Sequence, residues 1–133
     1  MTVLDASALL ELLLNTPAGN VVAERIADPA LRIDVPHLVD VEVAQALRRY
    51  ARDGELAASE ARMALEDLRS LDLGRHAHEP LLERIWELRQ NLSAYDATYV
   101  ALAEALRTTL ITCDARLARS PGMSGLIELA STG

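Results

Sequence analysis

Four carboxylates stand inside apolar runs: Asp5 in TVLDASALL, Glu42 in HLVDVEVAQAL, Asp96 in LSAYDATYVALAEAL and Asp114 in TLITCDARL. A carboxylate in core-forming sequence is costly unless a cation compensates it. The chain has no lysine, so the pattern suggests a divalent metal ion as that cation. An all-oxygen ligand set suits hard ions such as Mg²⁺ or Mn²⁺, which keep several of their waters. The chemistry such a cluster supports is metal-assisted phosphodiester hydrolysis. One ion lowers the pKa of a water, and a second, ~3.5–4 Å away, stabilises the leaving oxygen. Two carboxylates ~5 Å apart repel by roughly 3 kcal/mol at an effective dielectric of ~20, so four together are a liability without metal. The expectation is at least one raised carboxylate pKa and a chain stabilised by Mg²⁺ or Mn²⁺.

Each acid also has a purely structural reading. Asp96 follows Ser93 by three residues, the spacing of a helix capping box. Asp114 can cap a short turn over Ala115, Arg116 and Leu117, and Asp5 can form an Asx-turn near Ser7. Glu42 lies mid-helix, where pairing with Arg49 is its structural alternative. Asp40 stands one turn from an apolar neighbour and Glu104 fits a helix surface, and neither is assigned to the site.

The elements that must position these acids alternate along the chain. Strands are expected over Met1–Asp5, Leu31–Val35, Leu71–Leu73, Thr109–Thr112 and Leu126–Leu129, and helices over Ala8–Leu14, Val21–Ala27, Leu38–Arg52, Ala58–Ser70, Pro80–Gln90 and Asp96–Leu106. Asn15 to Gly19 has turn chemistry. Alternation of this kind predicts an α/β fold with a parallel sheet, whose ligands gather outside the carboxyl ends of the strands. Asp5 and Asp114 both stand at such ends.

A length of 133 residues fits a single domain over 1–133, and a half-apolar composition gives it a core. No apolar run is long enough to span a membrane, and the apolar N-terminus lacks the basic region of a signal peptide. The lone cysteine, Cys113, fits a reducing cytoplasm and reads as a small buried residue. A net charge of −7 argues against nucleic-acid binding, but two bound divalent ions would offset four of those charges. All 13 basic residues are arginine, which binds phosphate in a planar, bidentate way, although base composition of the gene also yields this bias. Arg116 and Arg119 follow Asp114 closely and are the candidate phosphate contacts; Arg48, Arg49, Arg52 and Arg75 are further arginines that can meet RNA. Trp86 reads as core, and His37, His76 and His78, which have no paired acid at catalytic spacing, as surface or loop residues.

Taken in order, VLDASALL, VEVAQAL, SAYDATYVALAEAL and LITCDARLA resemble the PIN domain, and within it the VapC-type toxins of bacterial toxin–antitoxin pairs. The resemblance runs over nearly the whole chain. It implies a central parallel sheet flanked by helices on both sides and a Mg²⁺- or Mn²⁺-dependent endoribonuclease. It carries the family's acids onto Asp5, Glu42, Asp96 and Asp114, with Asp114 completing the first metal site or supporting a second ion. Its small hydroxyl residues fall on Ser7 and Thr112, which can orient a carboxylate, a water or a phosphate. Arg116 and Leu117 stand where some members carry a further acid, which weakens the case for a second ion. The resemblance also implies a homodimer and a cognate VapB-type antitoxin whose apolar segment lies in a groove, with Leu9 and Leu13, or Tyr50, as candidate contacts. Two other classes stand beside it. A phospho-accepting receiver domain needs a lysine near its acceptor, which this chain lacks. A catalytically silent interaction module would use the acids as caps alone.

Overall fold

The computed structural model describes residues 1–132. Five short strands, β1 (Thr2–Leu4), β2 (Ile33–Pro36), β3 (Leu73–His76), β4 (Leu110–Thr112) and β5 (Ile127–Leu129), form one sheet in the order β3-β2-β1-β4-β5. Every pairing is parallel. Seven helices complete the described fold: α1 (Ala6–Leu13), α2 (Pro17–Arg25), α3 (Leu38–Arg52), α4 (Ala58–Ser70), α5 (Leu82–Glu87), α6 (Ala94–Leu106) and α7 (Ala115–Ala118), with a 3₁₀ turn over Glu79–Leu81 leading into α5.

All three residues of β1 and of β4 are buried. Successive side chains of a strand point to opposite faces, so helices cover both sides of the sheet centre, as the uninterrupted apolar runs require. The central turns of α6, from Ala97 to Ala103, are buried throughout. Val39, Val43 and Leu47 give α3 its inward stripe. The strand order reverses between β1 and β4, so the crevice outside their carboxyl ends is the topological switch point.

Three elements differ from the sequence expectation. Residues 17 to 19, expected in a turn, open α2: Thr16 caps it, accepting from the Gly19 amide at 3.0 Å, and Pro17 takes the first helical position. Gly19 is required because a Cβ there would stand 2.0 Å from the Glu11 carbonyl oxygen, where α1 and α2 cross. β3 is displaced from residues 71–73 to Leu73–His76. It is an edge strand pairing only β2, so its sequence need not be apolar. The helix expected over Pro80–Gln90 is a 3₁₀ turn and the six residues of α5.

Candidate active site

The acids reach the switch-point crevice by two routes. Asp5 directly follows β1 and caps α1; Asp114 follows β4 and caps α7. Asp96 stands in the first turn of α6, whose cap is Ser93, accepting from the Asp96 amide at 3.1 Å. Glu42 arrives from the second turn of α3. Capping therefore fixes three of the acids in place, while Glu42 has no such role.

Asp5 is only 5 % exposed and is held by a closed set of donors. Its Oδ1 accepts from the Ser7 hydroxyl at 2.7 Å and the Ala8 amide at 2.9 Å, and its Oδ2 accepts from the Thr112 hydroxyl at 2.5 Å. Ser7 Oγ in turn accepts from the Cys113 amide at 2.9 Å, and Thr112 Oγ1 from the Asp114 amide at 3.0 Å. The two hydroxyls lie 3.2 Å apart. This network ties β1, α1 and β4 together and locks the Asp5 rotamer, with Ser7 and Thr112 orienting the carboxylate.

Glu42 does not pair with Arg49. Its Oε1 accepts from the Tyr99 hydroxyl at 2.5 Å, across 57 residues of sequence. Tyr99 is 2 % exposed, and burial beside Glu42, Asp5 and Asp96 raises its own pKa well beyond the ordinary phenol value. It is a donor only, and it was not identified from the sequence. A tyrosine three residues after Asp96, in an otherwise small-residue helix, was the available signal.

The carboxylates feel one another. Burial raises the Asp5 pKa, and the charge on Asp96 adds to that, against the lowering by its three donors. Burial likewise raises Glu42, with Asp96 and Asp5 adding to it, although the Tyr99 bond opposes. Asp96 is raised by burial and then by Asp114, with Arg116 opposing. Glu42, Asp96 and Asp5 thus form one electrostatic cluster, and Asp114 joins it through Asp96. Among the described residues no three His, Cys, Asp or Glu side chains already converge as direct metal ligands. The donor set nevertheless fits a hard divalent ion. It is all oxygen, its charges are incompletely compensated, and Mg²⁺ is commonly held by one or two carboxylates with waters completing the shell.

Arg116 donates its amide to Asp114 Oδ1 at 2.9 Å, and its guanidinium lies 3.7 Å from Asp114 Oδ2. With Arg119, Asn91, Ser93 and Asp96 it lines a cavity of about 410 Å³ beside the cluster. A larger cavity, about 660 Å³, lies elsewhere, around Arg62, Arg69 and Arg75, and touches none of the four acids. Arg75 is not free for RNA, because it makes a bidentate ion pair with Asp40 at 2.8 and 2.9 Å. Glu104 is paired in the same way with Arg84. Both acids left out of the site on sequence grounds are thus surface ion-pair partners.

Three further expectations, for His76, Trp86 and Cys113, are corrected. His76 does have an acid partner: its Nε2 lies 2.8 Å from Oδ1 of the fully buried Asp34, which also accepts from Arg32 Nε at 3.0 Å. Burial works against the Asp34 charge, but these two partners outweigh it and hold the carboxyl below the usual range. His78 is a loop residue, as expected, and its Nε2 accepts from the Leu38 amide at 2.8 Å and so satisfies the start of α3. Trp86 is not core but 67 % exposed, with the Arg89 guanidinium 4.5 Å from its ring centroid. Cys113 is half-buried; burial and then Asp5 and Glu11 push its thiol up to about 11, so it stays protonated. Among the described residues no helix is long and apolar enough to cross a membrane.

Comparison with known proteins agrees with the fold. The family model described as the PIN domain matches residues 2–122. Ribonuclease VapC9 of Mycobacterium tuberculosis is 52 % identical over 117 residues, 88 % of each chain. A crystal structure of PAE2754 from Pyrobaculum aerophilum superimposes with a TM-score of 0.69 at 26 % identity, covering 95 % of this chain and 81 % of that one. A toxin–antitoxin complex from Klebsiella pneumoniae gives 0.68 at 18 % identity, covering 98 % of each chain.

Proposed function

The chain belongs to the PIN-domain family, and we propose that it is a VapC-type endoribonuclease, the toxin of a toxin–antitoxin pair, whose Asp5, Glu42, Asp96 and Asp114 hold Mg²⁺ or Mn²⁺. The observation that carries this reading is the meeting of four carboxylates from four separate segments at one topological switch point. Three of them are held above their ordinary pKa in part by one another. The bound ion would supply an acidified water and charge stabilisation at the phosphodiester. The chain's own contribution is positional. Ser7, Thr112 and the Ala8 amide fix Asp5, and Tyr99 fixes Glu42. Such supporting bonds orient ligands and tune their basicity. Arg116 and Arg119, which line a cavity with Asp96, are the proposed contacts to the phosphates of RNA.

The same reading includes a VapB-type antitoxin and a homodimer. Support for the antitoxin comes from the relatives named VapC ribonucleases and the Klebsiella complex. Leu9 is fully buried and is core rather than groove. Leu13 instead borders a shallow cavity with Leu14, Leu56 and the exposed Met63, rimmed by Glu60 and Asp67. Purified chain incubated with single-stranded and total RNA, with and without Mg²⁺ or Mn²⁺, tests the activity. Discrete metal-dependent fragments that disappear in Asp5→Ala support it. Equal cleavage by a folded Asp5→Ala variant would contradict the assignment of the acids.

A further inference from the structure

A further cavity of about 450 Å³ is lined by Glu42 and does not share Arg116 or Arg119 with the one beside Asp96. Its walls include Ala6, next to Asp5; Glu42 itself; and Tyr95, next to Asp96. Val41, Gln45 and Arg49 run along it one helical turn apart on α3. Tyr95 is 61 % exposed and Val41 69 %, although most of α6 beyond Tyr95 is core. The Tyr95 hydroxyl and the Gln45 amide have no partner among the described residues. An exposed aromatic ring, two unpartnered polar groups and a guanidinium thus share a cavity with Glu42, outside the hydrogen-bond network that holds the acids.

We propose that this cavity is a nucleobase subsite, and that it seats an unpaired purine of the RNA strand, stacked on Tyr95 and read by Gln45 and Arg49. The proposal rests on the ribonuclease reading and specifies its substrate contacts. Single-stranded RNA is held by stacking bases on aromatic side chains and by polar contacts to exposed base edges. Gln and Arg are the side chains that bridge the N7 edge of adenine and guanine respectively, which favours a purine over a pyrimidine. Arg49 offsets the negative field of Glu42 and Asp96 where the strand would enter, and Val41 gives the base an apolar flank. Position selects this occupant over a second protein chain: Glu42 lines the cavity, and two more of its walls, Ala6 and Tyr95, are the chain neighbours of Asp5 and Asp96, so a base seated there puts its phosphate beside the acids.

The test is equilibrium binding of a fluorescein-labelled hexa-adenylate, followed by anisotropy in Ca²⁺, a larger ion whose bound water is less acidic than that of Mg²⁺ or Mn²⁺, with the strand confirmed intact by gel after each titration. Tyr95→Ala should weaken binding about ten- to a hundred-fold, the range of one lost base stack, while Tyr95→Phe stays within about three-fold of the parent. Gln45→Ala should narrow the preference for hexa-adenylate over hexa-uridylate. Light scattering runs in parallel. If Tyr95→Ala binds as well as the parent, or changes the oligomeric state with RNA binding intact, the subsite is wrong and the face belongs to another chain. Cleavage assays on the same preparations separate the two levels. A parent that cleaves RNA while Tyr95→Ala binds normally overturns only the subsite; a parent that neither binds nor cleaves overturns the ribonuclease reading and the subsite with it.

Discussion

Replacing Thr112 by valine should be one of the most damaging single changes near the site, though no atom of Thr112 need touch substrate. The residue is fully buried. Its hydroxyl donates to Asp5 Oδ2 at 2.5 Å and accepts from the Asp114 amide at 3.0 Å. Valine keeps the shape and removes both bonds. A bond to a charged group contributes about 1.5–3 kcal/mol, and a stranded donor costs about 1–3 kcal/mol, less where water reaches it. The expected loss is therefore about 3–4 kcal/mol, or roughly 10–15 °C in Tm for a domain of this size. Thr112→Ser retains the hydroxyl and should lose only about 1 kcal/mol with its methyl group. Urea melts of the three proteins in EDTA measure both differences. The pH dependence has a definite sign. Burial raises the folded pKa of Asp5, and the Thr112 bond lowers it, so the valine variant raises it further. The charged carboxylate burdens the folded state above that raised pKa and not below the unfolded value. The deficit of Thr112→Val should then be greatest at neutral pH and shrink as pH falls through the raised pKa. A deficit below about 1 kcal/mol, or equal losses for serine and valine, would refute the role given to this hydroxyl.

Asp96→Asn should stabilise the metal-free chain by about 1 kcal/mol, discounted for the solvent that reaches this half-buried group. Since the Asp96 pKa is raised, the gain is full above the folded pKa and vanishes as pH falls toward the unfolded value; thermal melts from pH 8 to 4 read it. Tyr99→Phe leaves Glu42 without its donor and moves its pKa further up, so Mn²⁺ affinity by calorimetry should fall about ten-fold with the fold intact. Gly19→Ala drives a Cβ against the Glu11 carbonyl and should lower stability by about 1–3 kcal/mol in urea, with no change in metal affinity per folded molecule.

How much of this was legible in the sequence depends on how local each cause is. β1 and β4 were readable because both faces of the sheet centre are covered, so their sequences are unbroken apolar runs ending in Asp5 and near Asp114. The α3 stripe was readable from its period alone. β3 was not, because an edge strand carrying Gly74, Arg75 and His76 has no apolar signature. Gly74 is there for a reason no local pattern holds: a Cβ would stand 2.6 Å from Asp34 Oδ1. The bond from Tyr99 to Glu42 and the cap His78 gives α3 likewise join segments 57 and 40 residues apart, which only the packed fold brings together. The two readings of the acids also proved compatible. Asp5 and Asp114 are caps, and Asp96 sits under one, yet all three face the same crevice. Glu42 separates a site from a set of caps. It caps nothing, and a half-buried carboxylate raised by two neighbouring acids contributes no evident stability to a silent module.

The most direct test of the account is Mn²⁺ binding near pH 7.5, followed by loss of the free-ion electron paramagnetic resonance signal, for the parent, Glu42→Gln and Asp96→Asn. The account predicts saturable binding by the parent and at least about a ten-fold loss of affinity in each variant, with all three chains folded. Equal affinities across the three, or no binding by the parent, would contradict the claim that these four carboxylates act together as one metal site.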